Sequence, residues 1–127
     1  MSQDWQKDII EFHQGMNQPS TINPHICNDE MRILRRNLIL EEINETLEAM
    51  QIQDIVKIAD GITDSIVVLL GTALAYGIDI RPIWDEVHDS NMAKLVNKTF
   101  REDGKLLKLK GWKPPEIKQL IEEQMYQ

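Results

Sequence analysis

With 127 residues, 42% apolar and 28% charged, the chain has the size and composition of one soluble domain able to bury a core. Its net charge of −7 argues against a general nucleic-acid or anionic-membrane surface, which needs a basic excess. A single cysteine, Cys27, cannot form an internal disulfide, so it reads as a small, partly buried side chain in a reducing cytoplasm.

The opening MSQDWQKD holds no apolar signal core. A first helix is expected over about residues 3–15, with Trp5, Ile9, Ile10 and Phe12 or His13 facing inward and Gly15 near its stop. Residues 17–26, NQPSTINPHI, carry two prolines and several turn formers and read as a loop. A long second helix follows from Asn28 or Asp29 to Gln51, capped by one of those two side chains, with Glu30 in its first turn. A third runs from about Asp54 to Tyr76 and ends at Gly77. The connection at 51–54 is short, so the two helices should form an antiparallel hairpin.

Within the third helix the uncharged run Ser65 to Tyr76 is 12 residues long, too short to span a bilayer. It predicts a helix buried in protein on nearly every side. Pro82 suits the first turn of a fourth helix over about 81–97. The tail then turns at Asp103-Gly104, between short mixed runs, which predicts a small hairpin or an extended arm. Pro114 and Pro115 open a short last helix over about 115–125. The elements predict an all-α fold: an antiparallel helical hairpin at the centre of a four-to-five-helix bundle. They form a single domain over 1–127, with 100–127 as a peripheral tail.

Chemistry enters with the second helix. Leu34, Leu38, Glu41 and Glu45 are spaced 4, 3 and 4, which is one helix face, yet its upper half is apolar and its lower half acidic. A solvated charge face belongs opposite an apolar one, not in series with it. The third helix repeats the anomaly: Asp60 and Asp64 continue the line of Val56 toward Val67, Gly71 and Leu74. In an antiparallel hairpin turning near residues 52 and 53, Glu45 stands level with Asp60 and Glu42 with Asp64. Helix axes are about 8–10 Å apart, so Glu41, Glu42, Glu45, Asp60 and Asp64 should converge on one small volume.

Such a cluster must take up protons or a cation. An all-oxygen set suits Mg²⁺, with Mn²⁺ an alternative, and the absence of soft ligands argues against zinc. A ferritin-like di-iron site wants Glu-x-x-His on two helices. Here position 48 is Glu and position 67 is Val, while His13, His25 and His88 lie elsewhere.

These residues resemble the all-α nucleoside triphosphate pyrophosphohydrolases, the MazG-like superfamily with dimeric dUTPases and phosphoribosyl-ATP pyrophosphohydrolase. The motif EExxE is intact as Glu41-Glu42-Ile43-Asn44-Glu45, and Asn-x-x-Lys matches Asn91-Met92-Ala93-Lys94. Longer stretches resemble a small, often phage-associated branch: EFHQGMNQP at 11–19, RRNLILEEINE at 35–45, IADGITDSIVVLLGTALAYGIDI at 58–80, DEVHDSNMAKL at 85–95 and REDGKLLKLKGWKPPEI in the tail. One departure stands out. The ExxD motif would place Glu at position 61, where this chain has Gly61; Asp60, one residue earlier, can still serve directly or through water.

The resemblance implies Mg²⁺-dependent hydrolysis between the α- and β-phosphates of a nucleoside triphosphate, giving a monophosphate and pyrophosphate. Glu42, Glu45, Asp60 and Asp64 would hold the metal, and Glu41 or Glu45 would orient or deprotonate the attacking water. Lys94 and Asn91 would meet the phosphates, with Arg35 and Arg36 as secondary cations. His13, His88 and Trp112 are candidates for lining the site or stacking on the base, as is Tyr76. The families resembled are dimers or tetramers, and the apolar third helix likewise calls for a homodimer or homotetramer. No nucleic acid and no membrane is expected as a partner. A relative that binds nucleotide or protein without turnover is the alternative that Gly61 motivates.

Overall fold

Four of the five described helices begin where a capping side chain dictates. A computed structural model of the chain describes residues 3–96 and 98–125. Helix α1 (Trp5–Gly15) starts where the Asp4 carboxylate accepts from Lys7 N at 3.0 Å, and just beyond it Asn17 takes a left-handed φ of 60°. Helix α2 (Asp29–Gln51) is capped by Asn28, whose Oδ1 accepts from Met31 N at 2.8 Å. Ile52, Gln53 and Asp54 make the turn, Gln53 at φ 58°, and Asp54 caps helix α3 (Ile55–Ala75) by accepting from Val56 N and Lys57 N. Helix α4 (Ile80–Ala93) is capped by Asp79 and holds Pro82 in its first turn; helix α5 (Ile117–Gln124) closes the chain.

The all-α expectation holds: among the described residues there are helices and no named strand, and α2 packs along α3 as an antiparallel hairpin. Helix α1 lies against α3, while α4 and α5 pack on each other. The loop before α2 is laid over the end of α3. His25 N donates to Tyr76 O at 3.0 Å, and the Cys27 thiol donates to Ala75 O at 3.2 Å. Burial pushes the Cys27 thiol pKa up, as suits an inert, buried side chain. Gly77, at φ 70°, meets Asn23 O so closely that no Cβ fits there. In the tail, Phe100 and Leu106 form an isolated antiparallel bridge about the Asp103-Gly104 turn, a hairpin in miniature.

Two buried glutamines tie the remaining helices to the α3–α4 turn. Gln6 Oε1 accepts from Ile80 N at 2.7 Å and its Nε2 donates to Ile78 O at 3.3 Å. Gln124 Nε2 donates to Asp79 O and its Oε1 accepts from Asp79 N, both at 2.9 Å. Each amide thus satisfies backbone groups at the turn that no helix ladder reaches.

Three expectations are corrected. The inner face of α1 is Ile9 with Gln6; Trp5 and Phe12 are 50% and 55% exposed, because α1 packs mainly on α3 and buries a narrow strip. Helix α4 stops at Ala93 rather than 97, since Lys94 N and Leu95 N bond back only three residues, to Asn91 O and Met92 O; position 97 lies outside the described residues. Helix α3 is not surrounded: only Gly61, Gly71, Ala73 and Leu74 are buried on it, and Ile55 and Val56 are about three-quarters exposed. Among the described residues α1 and α2 supply most of its cover. By length and composition α3 could cross a bilayer, but Asp60 and Asp64 near its middle would each cost about 2.5–3.5 kcal/mol there.

Candidate functional site

The α2–α3 seam is built from small and hydroxylated residues. Thr46 Oγ1 lies 3.3 Å from Ser65 Oγ, and each hydroxyl also donates to a carbonyl one turn back in its own helix, Glu42 O and Gly61 O. A Cβ on Gly61 would sit 2.5 Å from Thr46 Oγ1 and 3.0 Å from Thr46 Cα. Three turns away, Arg35 reaches across the same seam, Nε to Thr72 Oγ1 at 3.0 Å and Nη2 to Val68 O at 2.7 Å. These contacts fix the register expected for the hairpin.

They also explain Gly61. Its position faces Thr46 inside the seam, where a glutamate has no room, so the missing family carboxylate is excluded by packing. The acids lie on the neighbouring flank. The inner line of α2 runs Arg35, Glu42, Thr46, Ala49, so Glu42 stands within the packed face itself. Its Oε2 is shut off from solvent and has no hydrogen-bond partner among the described residues. Burial, then the charges of Glu45, Asp64, Glu41 and Asp60, push its carboxyl pKa up, and no cation is among the charges acting on it.

The five acids are therefore neighbours across the seam, with Asp64 half-buried and Glu41, Glu45 and Asp60 exposed. Their convergence is looser than expected. Among the described residues no three acids, histidines or cysteines close on one point as a finished ion cage, as repulsion among like charges dictates. An orphaned, buried carboxylate oxygen among four more carboxylates nonetheless fits a hard divalent cation and fits no anion.

Among the described residues the other candidates make no hydrogen bond or ion pair with the five acids. Lys94 caps the end of α4, where its Nζ donates to Asn91 Oδ1 at 3.0 Å and rests 4.9 Å from the Trp112 ring centre. Lys108, from the tail, approaches the same ring at 5.0 Å, and Trp112 Nε1 donates to Ser90 O at 2.9 Å. The tail thereby gathers Asn91, Lys94, Lys108 and Trp112 into one basic, aromatic patch. Lys108 was not foreseen; its signal is the alternating KLLKLK run. His88 is exposed, Arg36 donates to its neighbour Asn37, and Tyr76 caps the end of α3.

His13 has a different setting. It lines a cavity of about 550 Å³ with Arg35, Met31, Leu34 and Leu74 and the polar loop side chains Gln18, Ser20, Thr21 and Asn23. Gly71 makes this possible, since a Cβ there would meet Arg35 Nη2 at 2.6 Å and His13 Nε2 at 3.2 Å. Burial first, then the Arg35 charge, lowers the His13 pKa below its ordinary 6.5, so the imidazole is neutral at pH 7.

The antiparallel helical pair thus packs one glutamate among four further acids. The chain belongs to the phosphoribosyl-ATP pyrophosphohydrolase family, whose model matches residues 9–91, from α1 through the two acidic helices to Asn91. That places it in a hydrolase family acting on pyrophosphate bonds, typically with a divalent metal. No curated protein matched the chain.

Proposed function

We propose that the protein hydrolyses a nucleoside triphosphate between its α- and β-phosphates, releasing a nucleoside monophosphate and pyrophosphate. The observation that carries this reading is the unpartnered Oε2 of Glu42, held by packing amid Glu41, Glu45, Asp60 and Asp64. Glu42, Glu45, Asp60 and Asp64 are the residues to hold Mg²⁺, or Mn²⁺, and the metal would neutralise the polyphosphate and stabilise charge on the attacking and leaving oxygens. Glu41 and Glu45, exposed beside the seam, are free to orient a water and accept its proton. Asn91 and Lys94 supply a neutral donor and a cation for the phosphates from the patch at the end of α4.

Assembly belongs to the same proposal. The chain exposes 9813 Å², against about 7,000 Å² for a folded monomer of this mass. Its exposed apolar residues form stripes at coiled-coil spacing: Leu40, Ile43, Leu47 and Met50 on α2, and Ile55, Ile62 and Leu69 on α3. On α2 this stripe is turned away from Glu41 and Glu45, so a second copy can cover it and leave the acids open. A homodimer, or a homotetramer built from it, accounts for the excess surface.

The test is incubation with a panel of nucleoside triphosphates and Mg²⁺, followed by product analysis, with the oligomeric state read by analytical ultracentrifugation. Monophosphate plus pyrophosphate is expected, from a species of at least two chains. Stepwise orthophosphate release, or nucleotide binding without turnover, would overturn the α–β cleavage.

A further inference from the structure

Arg35 is a half-buried cation with no anionic partner among the described residues. Its Nε and Nη2 are anchored on Thr72 Oγ1 and Val68 O, which fixes the guanidinium plane. Among the described residues Nη1 makes no hydrogen bond and no carboxylate lies within ion-pair distance, although the five clustered acids stand on the same two helices. Half-burying a guanidinium on neutral acceptors alone forgoes solvation that a carboxylate would restore. Arg35 lines a cavity rather than lying wholly within a packed core.

The cavity's position is equally informative. Leu34, in its wall, begins the line that continues through Leu38 to Glu41 and Glu45, so cavity and acids open on the same flank of the hairpin. Arg35 precedes Glu42 by two turns, or roughly 10 Å along the axis, about the reach of a nucleoside from its phosphate to the far edge of its base. The walls suit a base: apolar Met31, Leu34, Leu74 and Ala75 for the ring faces, and polar Gln18, Ser20, Thr21 and Asn23 around the rim.

We propose that this cavity seats the base of the substrate and that Arg35 selects a 6-oxopurine, the guanine or hypoxanthine class, over a 6-aminopurine. The proposal rests on the triphosphate reading above. A guanidinium offers parallel donors, which match the O6 and N7 acceptors along one edge of a 6-oxopurine. Adenine places an amino donor where O6 would be, so donor faces donor and the buried edge stays unpartnered. Uracil and thymine offer a carbonyl flanked by a ring N–H, which engages one arm only. Neutral His13, crowded with Arg35 over Gly71, adds a ring able to accept or donate without repelling the base.

The test compares GTP and ITP with ATP in turnover, and GMP and IMP with AMP in equilibrium binding by calorimetry, for the wild type, Arg35→Gln and Arg35→Lys. The wild type should favour the oxo members by about tenfold or more in both assays. Both variants should lose that preference, with turnover of GTP and ITP falling about tenfold further than turnover of ATP. Arg35→Lys keeps the charge but not the fork, so it decides the matter if Arg35→Gln does not fold. The His13 ring resonances should shift on adding IMP. Equal affinity of the wild type for IMP and AMP overturns the proposal, as does an equal loss on all bases in the variants, which would make Arg35 a phosphate or packing residue. If no triphosphate is cleaved at all, the hydrolase reading fails while the binding comparison still judges the base pocket.

Discussion

Replacing Glu42 with glutamine should stabilise the metal-free protein. The native carboxylate holds one oxygen out of water with no donor among the described residues, facing four like charges. An unsatisfied buried polar group costs about 1–3 kcal/mol, more when charged. Because the residue as a whole is only half-buried, screening brings the expected gain to about 1–2 kcal/mol. The glutamine amide also presents N–H donors to the acids beside it. For a chain of this size roughly 4 °C in Tm accompanies each kcal/mol, so Glu42→Gln should melt about 4–8 °C higher in EDTA at pH 7. The assay is circular dichroism melting at one fixed protein concentration, with EDTA and with Mg²⁺. Mg²⁺ at a hundredfold its Kd should add about 2.7 kcal/mol to the wild type and much less to the variant, which should also lose turnover. A variant that melts at or below the wild type in EDTA, or that gains as much from Mg²⁺, would refute the idea of a strained, cation-demanding carboxylate.

The pH dependence of the metal-free protein follows from the same residue. A carboxyl pKa raised in the fold contributes stability that is complete below its ordinary 4.5 and lost as pH rises through the folded value. Denaturant melts in EDTA should show this loss for the wild type and not for Glu42→Gln, and Mg²⁺ should suppress it. His13 acts with the opposite sign: its lowered pKa makes its contribution present above 6.5 and lost as pH falls toward the folded value, which an NMR titration of the ring should place below 6.5. Gly61→Glu, which restores the family residue, should destabilise by about 1–3 kcal/mol through overpacking on the Thr46 backbone; a variant of native stability and higher activity would contradict the seam geometry. Gln124→Ala leaves both Asp79 backbone groups unpaired and should cost about 1–3 kcal/mol in urea unfolding; a change below about 0.5 kcal/mol would place that contact among ordinary surface ones.

The helices were legible because their ends are written locally. Asn28, Asp54 and Asp79 cap in the structure as short side chains before a periodic run should. The hairpin register was legible because only one pairing brings the acids level, and the Thr46–Ser65 and Arg35–Thr72 contacts agree with it. Which acid turns inward was not. The line through Glu41 and Glu45 drew attention, yet Glu42, one residue aside, is the one in the seam. A shift of 100° around a helix exceeds what a sparse apolar pattern resolves when α2 is apolar on several sides. The glutamine ties and the Arg35 cavity depend on residues more than thirty positions apart, and no spacing rule reaches that far. Trp5 and Phe12 misled because aromatic size suggests burial, whereas one chain offers α1 too little surface to hide them.

The close approach of Gly61 to Thr46 has a further meaning. Two helices meeting at a glycine lie nearer together than side-chain layers allow, and that contact sits beside the acids. Position 61 therefore works as a spacer, setting how closely the two helices and the acids they carry approach. In the proposed metal site, a methyl group inserted there would hold the helices wider apart, shifting the fit away from a small ion with rigid octahedral demands toward a larger, more accommodating one.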